Sequence, residues 1–278
     1  MDSKLVERLN FYNEFREWYN KISCDFGFNY QKDSESRDYL SNLLQKKVNI
    51  YNLELILNNL QTLIRSKSNI IIYGCGPSLE STVDILLKEI GKKIFRKCLN
   101  ITADGAATLL RERGIPIHSI FSDLDGITFK EFNSTDFMII HAHGDNLDKL
   151  ELFKSEILKF KNIIGTTQVE PSKSIINPGG FTDGDRILYF LRPLLSPMQD
   201  LFLIGMDFKN VVGKYSKLHF DTDQEASPIK QKKLQYAVEL IKWIKNKIPN
   251  NMYFVNSSAI SEKFNSLSIK NFINIIRY

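Results

Sequence analysis

Two aspartates separated by one residue, Asp123 and Asp125, follow a short apolar run and precede Gly126. Two carboxylates so spaced can point at one cation, and hard oxygen donors suit Mg²⁺. The competing account has one Asp capping the next helix and the other solvated. A second cluster is His141-Ala142-His143-Gly144-Asp145-Asn146. His141 and His143 share one face of a strand end, and with Asp145 they have the donor types of a zinc site. Beside the oxygen donors Asp123 and Asp125, Asp145 is better read as a third Mg²⁺ ligand, with the histidines as a polar wall or proton relay. Without a ligand, Asp145 would cap the helix at 147 and the histidines would be satisfied within the strand.

Two glycine-bearing loops point to anions. Gly74-Cys75-Gly76-Pro77-Ser78-Leu79 follows an apolar strand and opens a helix. That geometry aims backbone N–H groups at a phosphate, with Ser78 binding it or merely capping the helix. No Gly-Lys-Ser/Thr follows, so it is not a Walker A loop. Leu79 stands where a third dinucleotide-loop glycine would be. In Asn177-Pro178-Gly179-Gly180-Phe181-Thr182-Asp183-Gly184-Asp185-Arg186, two glycines permit close backbone approach. Thr182 or Asp183 can cap the helix that follows. Arg186 in its first turn opposes the macrodipole, which hints at an anionic partner. Asp104 and Asp207 are single aspartates at strand ends, weak signals alone. Gly213 to His219 supplies Lys214, Lys217, Tyr215 and His219, as a lid over phosphates or as a basic surface loop.

The elements that must hold these loops alternate. Apolar runs at 70–73, 100–102, 117–122, 137–142, 162–164, 201–205 and 252–255 predict strands. Helical patterns at 79–91, 105–113, 147–160, 183–191, 228–248 and 268–277 separate or follow them. This alternation predicts a doubly wound, mostly parallel α/β sheet, Rossmann-like, over residues 68–278. Six Gly- or Asp-bearing loops then share the carboxyl edge of the sheet, where such folds bind ligands. Residues 1–67 predict an α-helical N-terminal region, with Leu5, Leu9, Tyr12, Phe15 and Tyr19 at helical spacing and further runs at 35–46 and 50–66. Its aromatic faces must pack on the rest of the chain or on a second copy, so a homodimer is one expectation. The lysines of the 228–248 helix read as a solvated face, and no nucleic-acid partner is expected.

Composition narrows the classes. The chain has 278 residues, 43% hydrophobic and 25% charged, with a net charge of +5. Fibrous and disordered classes are excluded. Cys24, Cys75 and Cys98 form no CxxC pair. Neither a disulfide framework nor a cysteine zinc site is expected. The charged start MDSKLVERLN lacks the apolar stretch of a secretory signal, and no run is long enough for a membrane span. A cytoplasmic location with no membrane partner is the expectation.

The motifs GCGPSL, ADGAA, SDLDG, HAHGDN, GTTQ, NPGGFTDGDR and GMDF, in that order over 74–208, together resemble the archaeal 6-hydroxymethyl-7,8-dihydropterin pyrophosphokinase family. That family is distantly similar to thiamine pyrophosphokinase, whose DGA and DxD loops look like ADGA and SDLDG here. The resemblance implies transfer of diphosphate from ATP to the pterin's hydroxymethyl oxygen, leaving AMP, with Mg²⁺ on Asp123, Asp125 and Asp145. It implies a nucleotide-holding set of Gly74, Gly76, Pro77, Ser78, Thr182, Asp183, Asp185 and Arg186. Asp145 or His143 would be the base. Asp104, Asn146, Gln168, Asn177 and Asp207 would face the pterin. Alternatives are a thiamine-type diphosphokinase, a sugar transferase of the flagellar-modification kind, and a non-catalytic nucleotide-binding module.

Overall fold

The computed structural model describes residues 4–47 and 51–277. Residues 1–3, 48–50 and 278, at the margins of the expected helical runs, lie outside them. The N-terminal region forms α1 (Leu5–Arg8), α2 (Tyr12–Phe26), α3 (Tyr30–Gln45) and α4 (Leu53–Arg65). Next come β1 (Asn69–Tyr73), α5 (Ser78–Ile90), α6 (Lys93–Lys97), β2 (Leu99–Ala103), α7 (Ala106–Glu112), β3 (Ile117–Ser122), α8 (Phe129–Phe132) and β4 (Thr135–Ala142). The chain continues through α9 (Leu147–Leu152), α10 (Lys154–Lys159), β5 (Ile163–Thr167), β6 (Ile175–Ile176), α11 (Asp183–Leu191) and β7 (Asp200–Ile204). It ends with β8 (Val211–Val212), β9 (Gln224–Glu225), α12 (Pro228–Lys245), β10 (Met252–Val255), β11 (Asn265–Leu267) and α13 (Ile269–Arg277).

Nine strands form one sheet in the order β11-β10-β7-β1-β2-β3-β4-β5-β6, and every neighbouring pair is parallel. The doubly wound expectation is met. Alternate residues of each strand feed opposite cores, as the pleat requires. Ile70 and Ile72 of β1, with Leu201 and Leu203 of β7, enter a core roofed by α2, α4, α11 and α12. Ile71, Tyr73, Phe202 and Ile204 enter the other, with α3, α5, α7, α9, α10 and α13. Each fully buried aliphatic side chain there contributes roughly 1.5–3 kcal/mol.

The N-terminal helices belong to these cores. Leu57, Leu60 and Ile64 of α4 are buried in the first, and Leu40 and Leu44 of α3 in the second. Of the aromatic faces that suggested a second copy, Phe15 and Tyr19 are buried within the chain and Tyr12 is half-buried. Phe15 meets Tyr189 edge-on at 5.5 Å, and Phe26 packs on Phe181 at 5.4 Å. Asn29 caps α3 by accepting from the N–H groups of Gln31 and Lys32. The helix expected over 147–160 breaks in two at Phe153, whose buried ring lies 4.6 Å from that of Phe129. Among the described residues, no helix is long and apolar enough to cross a membrane.

Candidate active site

The sheet reverses winding between β1 and β7, whose onward connections run to opposite edges. A crevice opens there, outside the carboxyl ends. Two loops meet in it. The Gly74 N–H donates to the Ile204 carbonyl (2.9 Å) and the Gly76 N–H to that of Gly205 (2.7 Å). A Cβ on Gly74 would stand 2.7 Å from the Gly205 oxygen, so glycine is needed for the two chains to touch. Asp207 reaches across to the start of α5, accepting from the Ser78 N–H (2.9 Å) and hydroxyl (2.7 Å). The N–H groups of residues 74, 76 and 78 are therefore spent within the protein, which corrects their reading as an anion cradle. Gly74, Cys75, Gly76 and Asp207 line the crevice; Pro77 and Ser78 do not.

The next two loops form the acidic floor. Asp104 and Leu124 take left-handed backbone angles, φ 46° and 73°. Ser122 ties them, donating to Asp104 Oδ1 (2.7 Å) and accepting from the Leu124 N–H (2.8 Å). The Gly126 N–H donates to the same Asp104 oxygen at 3.2 Å. One carboxylate oxygen from each of Asp104, Asp123 and Asp125 then lies within 4.8 Å of the others. Asp104, expected to read the substrate, completes this trio in place of Asp145. Asp145 lines the same crevice outside the trio.

These charges strain one another. Burial, then Asp123, Asp183 and Asp125, push the Asp104 carboxyl well above its usual range. Burial and the charge of Asp123 raise Asp125, against its ion pair with Lys217. Burial opposes ionisation of Asp123 as well, but its hydrogen bonds to His143 and Asp125, with the charge of Lys217, together outweigh burial and hold that carboxyl low. His143 donates from Nε2 to Asp123 Oδ2 (3.2 Å), because its Nδ1 accepts from the Asp145 N–H (3.3 Å). Both ring nitrogens of His143, expected as a base, are engaged within the protein, and the ring supports Asp123.

Several expected ligand contacts are fasteners. Asn146, buried, donates to the carbonyls of Asp123 (2.9 Å) and His141 (2.7 Å) and accepts from the His143 N–H (3.0 Å). Asn177, equally buried, bonds the Val169 carbonyl and the Gly179 N–H. Asp185 accepts from Phe181 N–H, Thr182 N–H and the Thr182 hydroxyl, closing a capping box on α11. None of these three residues lines the crevice; Thr182, Asp183, Arg186 and Gln168 do. Arg186, 4% exposed, donates to Asp183 (3.2 Å) and to the Phe181 carbonyl (2.8 Å).

Comparison with known proteins fits this arrangement. A family model, 6-hydroxymethylpterin diphosphokinase MptE-like, matches residues 41–213. The chain belongs to that family. It is 33% identical over 237 residues to a protein of Pyrococcus furiosus, spanning 84% of this chain and 94% of the relative. A Methanocaldococcus jannaschii protein is 37% identical over 247 residues, spanning 84% and 97%. A third, from Methanothermobacter thermautotrophicus, is 35% identical over 233 residues, spanning 82% and 92%. Each relative is named 6-hydroxymethyl-7,8-dihydropterin pyrophosphokinase.

The matched span of the MptE-like family model does not hold the whole crevice. Phe28 from the α2–α3 turn, Lys217 from the segment after β8, and Lys230, Lys233 and Leu234 of α12 also line it. Lys217, read as lid or surface, is paired with Asp125 on the floor. Lys230 and Lys233 correct the solvated-face reading. Their spacing to Leu234 and Ala237 places all four on one helix face, a signal present in the sequence. Phe28 carries no such signal beyond its place after Gly27, whose φ of 67° ends α2.

Proposed function

We propose that this chain is a cytoplasmic, Mg²⁺-dependent enzyme that transfers diphosphate from ATP to the hydroxymethyl oxygen of 6-hydroxymethyl-7,8-dihydropterin, releasing AMP. The observation that carries this reading is one crevice in which three carboxylates face Lys217, Lys230 and Lys233, beside the rings of Phe28 and Phe181. The names of the relatives support the same reaction. The free cysteines fit a reducing compartment.

The all-oxygen trio suits Mg²⁺, and Asp104, Asp123 and Asp125 would hold it. Bound there, the ion supplies charge neutralisation for the triphosphate. The lysines attract the phosphate oxygens as point charges. Arg186 holds Asp183 in place at the start of α11. Asp145, whose carboxyl has no hydrogen-bond partner among the described residues, is the candidate to accept the hydroxymethyl proton.

The test is to incubate the protein with ATP, Mg²⁺ and the dihydropterin and to separate the nucleotides. AMP that forms only with both pterin and Mg²⁺ is the expected result. ADP, or AMP independent of the pterin, would overturn the reading.

The floor also sets a pH dependence. Burial and the charge of Asp123 push Asp183 up to about 7, and Asp104 and Asp125 are raised as well. The folded protein without metal thus holds protons that the unfolded chain would release. The stability from these protons is full below the ordinary carboxylate range and is lost as pH rises through about 7. A divalent cation replaces them. The rise in Tm on adding Mg²⁺ is therefore expected to be larger near pH 8 than near pH 5, as differential scanning fluorimetry with and without chelator would read. Equal rises at both pH values would place the ion elsewhere.

A further inference from the structure

One part of the crevice wall, beside His143, is built differently. His141 is 3% exposed, lines the cavity, and has no hydrogen-bond partner on Nε2. Its Nδ1 lies 3.1 Å from the Thr166 hydroxyl, which donates its own proton to the Ile140 carbonyl (3.3 Å). Nδ1 must therefore carry the ring proton, and Nε2 presents a lone pair. Burial, then the charge of Arg186, hold this imidazole neutral.

Gln168 stands beside it. Its Nε2 donates to Asp33 Oδ2 at 2.9 Å. Asp33 is 2% exposed and belongs to α3, in the N-terminal helical region. It is fixed by two further donors, the Tyr19 hydroxyl (2.8 Å) and the Gly144 N–H (2.6 Å). A carboxyl so held sets the amide of Gln168 one way round. Its nitrogen faces Asp33, which turns its oxygen to the other side, beside the His141 ring and on the cavity wall. Phe28 and Phe181, with ring centroids 6.1 Å apart, provide the aromatic wall.

We propose that His141 Nε2 and Gln168 Oε1, the latter oriented by Asp33, are the acceptor pair that reads the donor edge of the pterin, its exocyclic 2-amino group and N3–H. This rests on the diphosphokinase reading above. A pterin presents those two donors side by side on the ring edge remote from the hydroxymethyl group. Asp33 is a positioning residue: it touches no substrate and acts through Gln168.

The test compares 6-hydroxymethyl-7,8-dihydropterin with its 2-oxo counterpart, which replaces the amine with an acceptor. The wild-type chain is expected to favour the pterin in kcat/KM by on the order of 10²-fold, because an acceptor would face an acceptor. In Gln168→Met the KM for the pterin rises by about tenfold, the KM for ATP stays unchanged, and the preference falls to a few-fold. Asp33→Asn frees the amide to turn, and the preference falls in the same direction. A purely structural role would not change the ratio between two substrates. If Asp33→Asn does not fold, Gln168→Met decides alone. An unchanged preference in a folded Gln168→Met, or an equal rise in both KM values, overturns the acceptor pair while wild-type AMP formation keeps the reaction standing. A wild-type chain that forms no AMP from the pterin overturns the reaction, and this assignment with it.

Discussion

Asp123→Asn is expected to lower kcat for AMP formation by on the order of 10³-fold while leaving the protein folded. Asparagine keeps the shape and the oxygen that accepts from His143. What disappears is one negative charge from a trio whose oxygens lie within 4.8 Å of one another. Without that charge the cation is held more weakly and the triphosphate is less well neutralised. The same change relieves repulsion on Asp104, Asp125 and Asp183, each of which Asp123 pushes upward. The metal-free variant should therefore melt at or above the temperature of the metal-free parent. The opposing signs matter, because a variant that is merely unfolded loses both activity and Tm. Activity within tenfold of the parent at saturating Mg²⁺ would remove Asp123 from the metal-holding role.

The largest stability effect should come from Arg186→Ala, a loss of about 3–5 kcal/mol in denaturant unfolding. The guanidinium is almost wholly buried and bonds both Asp183 and the Phe181 carbonyl. Truncation leaves that carbonyl unpaired and Asp183 facing Asp123 and Asp125 with no counter-charge on its own helix. Asp183→Asn in the same chain should recover part of the loss, because the carboxyl that must be kept protonated there is gone. A single-variant loss below about 1 kcal/mol would mean that water replaces the guanidinium freely.

How far the sequence carried depended on how local the deciding physics was. Strand β3 and helix α11 end where their apolar patterns end, and the Gly- and Asp-bearing loops follow strands because the sheet is parallel. Strands β8, β9 and β11 are two or three residues long, too short for any periodicity to mark them. Within the site, the ambiguous residues were those whose side chains suit two jobs. Asp185 and Asn146 have the chemistry of ligands and of loop fasteners alike, and only the position of the neighbouring N–H groups decides. The place of Asp104 in the trio has no local signal, because its company, Asp123 and Asp125, comes from a different loop. Asp33 was invisible for the same reason: its three donors come from α2, the loop after β4 and the end of β5.

The pairing of β1 with β7 joins residues roughly 130 positions apart, and the crevice exists only where those two strands lie side by side. That contact carries a high loop-closure entropy, so it belongs to the slow, long-range part of folding. A fragment ending before β7 lacks the Gly205–Asp207 side of the crevice. Occupancy acts in the reverse direction. A ligand at a hundred times its Kd would add about 2.7 kcal/mol against opening of this seam. In hydrogen exchange, the amides of Gly74 and Gly76 should slow on ligand addition more than those at the β5–β6 edge, making the middle of the sheet a gauge of cellular ligand supply.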